Sequence, residues 1–331
     1  DEKWQVYAGG HPLPNDASVS SAHAAFRLLE QADAEQALVV FLISGGGSAM
    51  MEIAKDPAIT LSELQETNRI LVGSGASISE INAVRRKISA VKGGGLAKLA
   101  PHCRQLTLII SDTRKNDITS VASGPSLKAD RKLPEPIEVI EKYSLRSAIP
   151  ISVMEAIADG SIDKHIFPSD SSAYVLLENA TATRSAAEMA TGLGLFVKAD
   201  HRDFDGPIGD GCEQLFEECY ELKRSAPRGD SVCLISGGEF ECSVNGDGIG
   251  GRNSETVLRL AMIAARRGID SEFAFLSAGT DGIDGNSNGA GGIADHTSLL
   301  RAREMGLDPE TFLANSDSFT FLNKIGASIT P

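Results

Sequence analysis

Four short apolar runs in this 331-residue chain each end in a serine followed at once by a small or acidic residue. Leu38–Ile43 runs into Ser44-Gly45-Gly46-Gly47-Ser48, and Leu106–Ile110 into Ser111-Asp112. Val232–Ile235 runs into Ser236-Gly237-Gly238-Glu239, and Phe273–Leu276 into Ser277-Ala278-Gly279-Thr280-Asp281-Gly282. Apolar runs of this length, bounded by turn residues, read as strands of a parallel sheet buried on both faces. Such strands separated by helical stretches limit the chain to alternating α/β folds, in which ligands bind outside the carboxyl ends of the strands. Glycines at those ends let an anion approach the backbone, and the carboxylates there can serve a metal or a proton transfer.

Helical signals fill the gaps. Thr60-Leu61-Ser62-Glu63 and Ser77-Ile78-Ser79-Glu80 are capping boxes, and the second opens a run with Ile81, Val84, Ile88 and Val91 at helical spacing. Residues 126–170 read as a helical excursion and residues 171–177 as a strand. Helices at about Thr183–Ala190 and Glu213–Lys223 flank a strand near Leu195-Phe196-Val197. The turn-rich stretch Ser225–Asp230 sets the expected boundary. A doubly wound, Rossmann-like parallel-sheet domain is expected over 1–226, and a smaller mixed α/β domain over 227–331. In the latter, Phe240–Val244 is expected in an antiparallel pair and Ser254–Arg266 in an amphipathic helix.

The net charge of −14 opposes general nucleic-acid binding, which needs a basic face. An anionic ligand must then be drawn by local cations, and Arg85, Arg86, Lys87, Lys92, Arg114, Lys115 and Arg252 lie near the motifs. The five cysteines show no metal or disulfide spacing and read as reduced thiols of a cytoplasmic protein. No run approaches the length of a membrane span, and no secretory signal is visible, so no membrane partner is expected.

Each motif has two readings. Ser44-Gly45-Gly46-Gly47-Ser48 is an oxyanion cradle or merely a tight strand-to-helix turn; it is neither a Walker A loop nor a nucleophile elbow. Gly246-Asp247-Gly248-Ile249-Gly250-Gly251 matches G-x-G-x-x-G, but the residues before it are too polar for a central strand. A glycine hairpin that delivers Arg252 and Asn253 to a helix N-terminus, as an anion seat, fits better. Asp281 and Asp284 either hold Mg²⁺ or cap their own Asp-Gly turns. The Arg85-Arg86-Lys87 run is a solvated helix face or part of an anion site. His11, in Gly9-Gly10-His11-Pro12, is a rigid-turn residue or a binding one.

Taken together, these segments resemble the glycerate 2-kinases that carry a MOFRL carboxyl domain, some of which bear the older label hydroxypyruvate reductase. The matching stretches run in order along nearly the whole chain. They are Gly10–Asp16, Leu42–Ala49, Ser74–Ala76, Ile81–Arg85, Lys92–Gly94, Ser111-Asp112, Ala122–Pro125, Ser236–Glu239, Gly250–Glu255, Ser277–Gly285 and Asn315–Ser318. The resemblance implies ATP- and Mg²⁺-dependent phosphorylation of D-glycerate to 2-phosphoglycerate, in a cleft between the two domains of a cytoplasmic enzyme. A homodimer is compatible with it. Relatives carry a Gly-Lys-Ala segment upstream and a Gly-Thr-Asn-Val ending downstream of the residues here. This chain also departs at Arg114-Lys115-Asn116, at Gly95 where arginine is common, at Lys87 where histidine is frequent, and at Asn286–Gly289, where one carboxylate is lost.

The expected division of labour follows from what phosphoryl transfer needs, which is in-line placement and neutralised charge. Ser44, Gly45, Gly46, Gly47 and Ser48 would cradle an anionic group, with Gly250, Gly251, Asn253 and Glu239 also against the nucleotide. Arg252, Asp112 and Lys92 would be catalytic: Arg252 stabilising charge, Asp112 orienting or deprotonating the hydroxyl. Asp281 and Asp284 would hold the metal. All of these segments are expected to line one gap between two lobes. The alternatives are a nicotinamide-dependent hydroxypyruvate reductase and a ligand-binding homologue without chemistry.

Overall fold

A computed structural model of the chain describes residues 4–112, 117–128, 133–159, 166–204, 206–269 and 272–330. Its contacts divide it into two compact units, Asp1–Glu178 and Asn179–Pro331. Among the described residues no helix is long and apolar enough to cross a membrane.

The first unit alternates helices and parallel strands: α1 (Asp16–Glu35), β1 (Leu38–Ile43), α2 (Gly47–Met50), α3 (Leu61–Gly73), α4 (Ile78–Ile88), β2 (Arg104–Ile110), α5 (Pro136–Lys142), α6 (Ile151–Ala158) and β3 (Ser171–Leu177). The strands lie in the order β1-β2-β3, with Leu42 opposite Leu108 and Ile109 opposite Val175. Both predicted capping boxes form. The hydroxyls of Thr60 and Ser77 accept from the amides of Glu63 and Glu80, whose carboxylates accept from the Thr60 and Ser77 amides in return. These reciprocal bonds satisfy two orphan donors at the start of α3 and of α4.

Strand β1 packs Val39, Phe41 and Ile43 against Ala22 and Leu29 of α1 and against Val91 and Leu96. Leu38, Val40 and Leu42, on the other face, are exposed. The run is therefore buried on one side, which corrects the two-sided expectation; a short apolar run does not by itself reveal how many of its faces are covered. A second core, among α3, α4, α5 and α6, fully buries Leu71, Val84, Ile140 and Val153.

The second unit begins with α7 (Asn179–Gly192), β4 (Phe196–Phe204), α8 (Ile208–Ser225) and β5 (Val232–Gly238), with β4 and β5 parallel. The boundary expected at 226/227 falls inside this unit, between α8 and β5. There follow α9 (Arg252–Arg266), β6 (Ala274–Ala278), β7 (Gly291–Asp295), α10 (Ser298–Glu304), α11 (Pro309–Ala314), α12 (Ser318–Lys324) and β8 (Ser328–Ile329). Helix α9 is buried nearly all round. Val257, Leu258 and Ala261 serve one core with Phe321 and Leu322, while Leu260, Ile263 and Ala264 serve another with Phe216 and Phe240.

Two sequence expectations fail here. Strand β6 runs antiparallel to β7, because the loop between them contains no crossover helix and returns the chain directly. Among the described residues Phe240–Val244 forms no antiparallel pair. Glu241 makes a single parallel bridge to Pro207, and the neighbouring Phe240 is buried in the α8–α9 core.

Leu71 has no exposed surface and sits in the α3–α6 core. The Leu71→Ala variant is expected to lose about 3 kcal/mol of unfolding free energy from lost transfer energy and the cavity left behind. Urea denaturation measures this, and a loss within error of zero would mean that the α3–α6 layer is not a packed core.

Candidate active site

In the first unit the turn after β1 is shaped by a carboxylate. The side chain of Asp112, two residues beyond β2, occupies the space where a Cβ on Gly45 would stand. No other residue fits at position 45 without displacing that carboxylate. Gly46 takes a left-handed backbone with φ of 74°, and Gly47 opens α2. Among the described residues, the amides of Gly45, Gly46 and Gly47 enter no loop hydrogen bond. They stand at the carboxyl ends of adjacent parallel strands with Asp112, itself exposed, beside them. His11 belongs to this turn as well: its Cε1 lies 3.9 Å from the point a Gly46 Cβ would occupy. Gly9 brings it there by packing flush on the Met50 backbone.

Beneath the turn lies a polar cluster that the sequence did not announce. Ser48 Oγ is 2.9 Å from Ser123 Oγ, and the Ser48 carbonyl accepts from Lys92 Nζ at 2.6 Å. Lys92 is ion-paired to Glu52, and the two side chains are 2% and 4% exposed. The second Glu52 oxygen accepts from Ser89 Oγ at 2.6 Å and from the Ile53 amide at 2.9 Å. Both acceptors of Lys92, expected to be catalytic, lie in the interior, so its ammonium is engaged beneath the turn.

The neighbouring cations are engaged too. Arg85 Nε donates to Asn68 Oδ1 at 2.6 Å, and burial lowers its pKa while the nearby Glu52 carboxylate opposes that shift. Arg86 donates to the Thr119 carbonyl and Lys87 to the Asp159 carbonyl. These ties bind α4 to other parts of its own unit, which favours a structural reading of the run. Arg114 and Lys115 lie outside the described residues.

In the second unit the start of α9 is organised by Asp284, which is 2% exposed. One of its oxygens accepts from the Asn253 amide at 2.8 Å and from Asn253 Nδ2 at 3.3 Å. The other accepts from the Ser254 amide at 2.9 Å and from Ser254 Oγ at 2.6 Å. This carboxylate satisfies the first orphan amides and meets the positive end of the helix dipole. Its lone pairs are taken by four donors, an arrangement that favours the capping reading of Asp284 over the metal one. Asp281, exposed, accepts from the Ile283 amide at 3.1 Å, the local turn of the simpler reading. Among the described residues no group of three or more histidine, cysteine or acidic side chains is placed to hold an ion. The seat at the start of α9 that was expected for a ligand anion is filled by Asp284.

Arg252, the first residue of α9, is half-exposed and paired with Glu239 just beyond β5. Asn253 is held from both sides, its Oδ1 accepting from Ser277 Oγ at 2.6 Å. The preceding glycine loop is closed by protein. Gly248 and Gly250 lie flush against Asn315, Asp317 and Ser318, and Gly251 against Asp284. The Ile249 amide donates to Asp317 Oδ1 at 2.8 Å, and the Gly250 amide to Asn286 Oδ1 at 2.9 Å. These glycines serve close packing of the chain on itself, which removes the main support for a dinucleotide loop. Among the described residues this segment makes no strand pairing, so the expected hairpin is not formed there.

Close to Arg252 in sequence, Cys242 Sγ lies 3.0 Å from Glu255 Oε2. Burial, together with this carboxylate, pushes the thiol up to about 12. All five cysteines are free thiols.

Residues 1–158 match a domain of unknown function (DUF4147), and residues 232–331 match the MOFRL family. A D-glycerate 2-kinase of Thermotoga maritima is 32% identical over 98% of this chain and 76% of its own length. A glycerate 2-kinase of Pyrococcus horikoshii is 33% identical over 97% of this chain and 73% of its own. The crystal structure of the Thermotoga maritima glycerate kinase superposes with a TM-score of 0.82 at 31% identity, covering 100% of this chain and 78% of that one.

Three outcomes are expected. Asp284→Ala, which strands the amides at the start of α9, should lower stability by about 2–3 kcal/mol in urea titration. Chelation with EDTA should leave the wild-type melting temperature unmoved; a drop would restore a structural metal. For Cys242 the folded pKa is raised, so its contribution is complete below the ordinary thiol value of about 8.5 and fades as pH rises toward about 12. The stability gap between wild type and Cys242→Ala should accordingly narrow between pH 8 and pH 11, as followed by urea melts.

Proposed function

The chain belongs to the glycerate kinase family, and from that premise we propose that it transfers the terminal phosphoryl group of ATP to the 2-hydroxyl of D-glycerate, giving 2-phosphoglycerate. The observation that carries the reading at the level of chemistry is the apposition of Asp112 and the Gly45–Ser48 turn. A carboxylate at the end of β2 is held against an open run of amides at the end of β1. Amides in this arrangement hold an anionic group of a substrate, and the carboxylate beside them is suited to orient or deprotonate a hydroxyl.

Arg252 is assigned the charge that builds on the transferred group. Its planar fork of donors suits phosphoryl oxygens, and its present partner Glu239 is itself exposed, so the pair is weak enough to be exchanged for a substrate. Ser44 and Ser48 flank the turn, and His11 lies beside it. Asn253, Gly250 and Gly251 support Arg252 by fixing the start of α9. The nucleotide is taken up as Mg-ATP, and no side chain of this chain is assigned to the metal. A cytoplasmic location belongs to the same proposal and is supported by the free thiols.

Two measurements test this. Incubation with Mg-ATP and a panel of small hydroxy acids should yield 2-phosphoglycerate from D-glycerate, identified by NMR; ATP-independent NADH oxidation with hydroxypyruvate in its place would favour the reductase. The Arg252→Ala variant should fold normally and lose turnover by about 10²–10³-fold, the range for removing a donor to transition-state charge. Unchanged turnover would take Arg252 out of the mechanism.

A further inference from the structure

Lys92 and Glu52 form a buried pair that the mechanism above does not use, and the chain around them is unusual. Lys92 Nζ holds the Ser48 carbonyl at 2.6 Å. The segment that follows it also holds the chain at 123–125: the Gly93 amide donates to the Ser123 carbonyl at 3.0 Å, Gly94 to the Gly124 carbonyl at 2.7 Å, and Leu96 to the Pro125 carbonyl at 3.0 Å. That stretch is backbone-strained. Ala122, Ser123 and Gly124 have φ of 48°, 61° and 63°, a left-handed run that non-glycine residues adopt only when their surroundings enforce it. Ser123 Oγ meets Ser48 Oγ at 2.9 Å and lies 3.3 Å from Asn82 Oδ1 of α4. Ala122 stands directly against Gly47.

Two routes thus run from Lys92 to the same short turn, one through its ammonium to Ser48 and one through its glycines to Ala122 and Ser123. We propose that the Lys92–Glu52 pair is the positioning centre of the Gly45–Ser48 turn, fixing the direction of its amides toward the anionic group of a substrate. This inference rests on the reading of that turn as a ligand site. Glu52 is needed because an ammonium held this deep must be neutralised, and Ser89 and the Ile53 amide satisfy the carboxylate in turn. Neither side chain touches substrate, so both are positioning residues.

The test must separate positioning from folding, because removing one partner alone leaves an uncompensated buried charge and strongly destabilises the fold. The double variant Lys92→Met/Glu52→Gln, in the full chain, removes both charges at similar volume and should fold with a melting temperature near that of the wild type. Its KM for either Mg-ATP or D-glycerate should rise at least tenfold, with the other KM within twofold, because only one ligand's anionic group occupies the turn. A folded double variant with both KM values and kcat within twofold of wild type overturns the proposal. Gly45→Ala, which displaces Asp112, is measured alongside. If it impairs activity while the double variant does not, the turn is a ligand site and the positioning role alone is wrong. If neither variant changes KM or kcat, the turn itself is not the site.

Discussion

In each unit a glycine lies flush against a carboxylate, with no room for a Cβ between them: Gly45 against Asp112 in the first and Gly251 against Asp284 in the second. The two contacts share a geometry and differ in what the carboxylate has left to do. Asp284 is buried and its oxygens are taken by four donors at the start of α9. Asp112 is exposed beside amides that enter no loop bond among the described residues. A carboxylate with all its donors supplied by the protein is a structural anion; one with open amides beside it remains able to act on something that arrives.

The electrostatics follow the same division. Asp284 meets the positive end of the α9 dipole, so that helix terminus offers little attraction to a second anion. Positive charge near the start of α9 then has to come from a side chain, and Arg252 is placed one residue beyond the cap. In the first unit the ammonium of Lys92 is spent inward on Glu52 and Ser48, leaving backbone amides to face outward. The protein as a whole carries strong net negative charge, so the approach of an anion depends on local groups of this kind.

Much of the fold could be read from local pattern. The capping boxes at Thr60 and Ser77 rest on interactions within a few residues, and the places of β1, β2, β3 and α9 show as apolar runs or helical spacing, which sequence periodicity carries. What escaped depends on distant partners. Asp281 and Asp284 look alike in an Asp-Gly-rich stretch, and only the arrival of α9, whose first residues lie about thirty positions upstream, turns one of them into a cap. Lys92, followed by three glycines, reads as an exposed anion binder until Glu52, 40 residues earlier, is found against it. The direction of β6 was equally hidden, since an apolar run ending in glycines is the same string whether its neighbour runs with it or against it. Glu52 carried no motif at all, and Ser123 only its place in the Ala122–Pro125 stretch; the signal of both is their burial as polar residues.

Gly95, a position where arginine is common in the family this chain resembles, shows how packing can direct sequence change. A Cβ at this residue would drive into the Ala90 carbonyl, which is backbone and cannot swing aside. An arginine could enter only after the 90–95 segment had first shifted, so the order of substitutions matters as much as their identity. Any larger residue at 95 would move the segment that carries Lys92, so this position ties the packing of the 90–95 chain to the turn at 45–48.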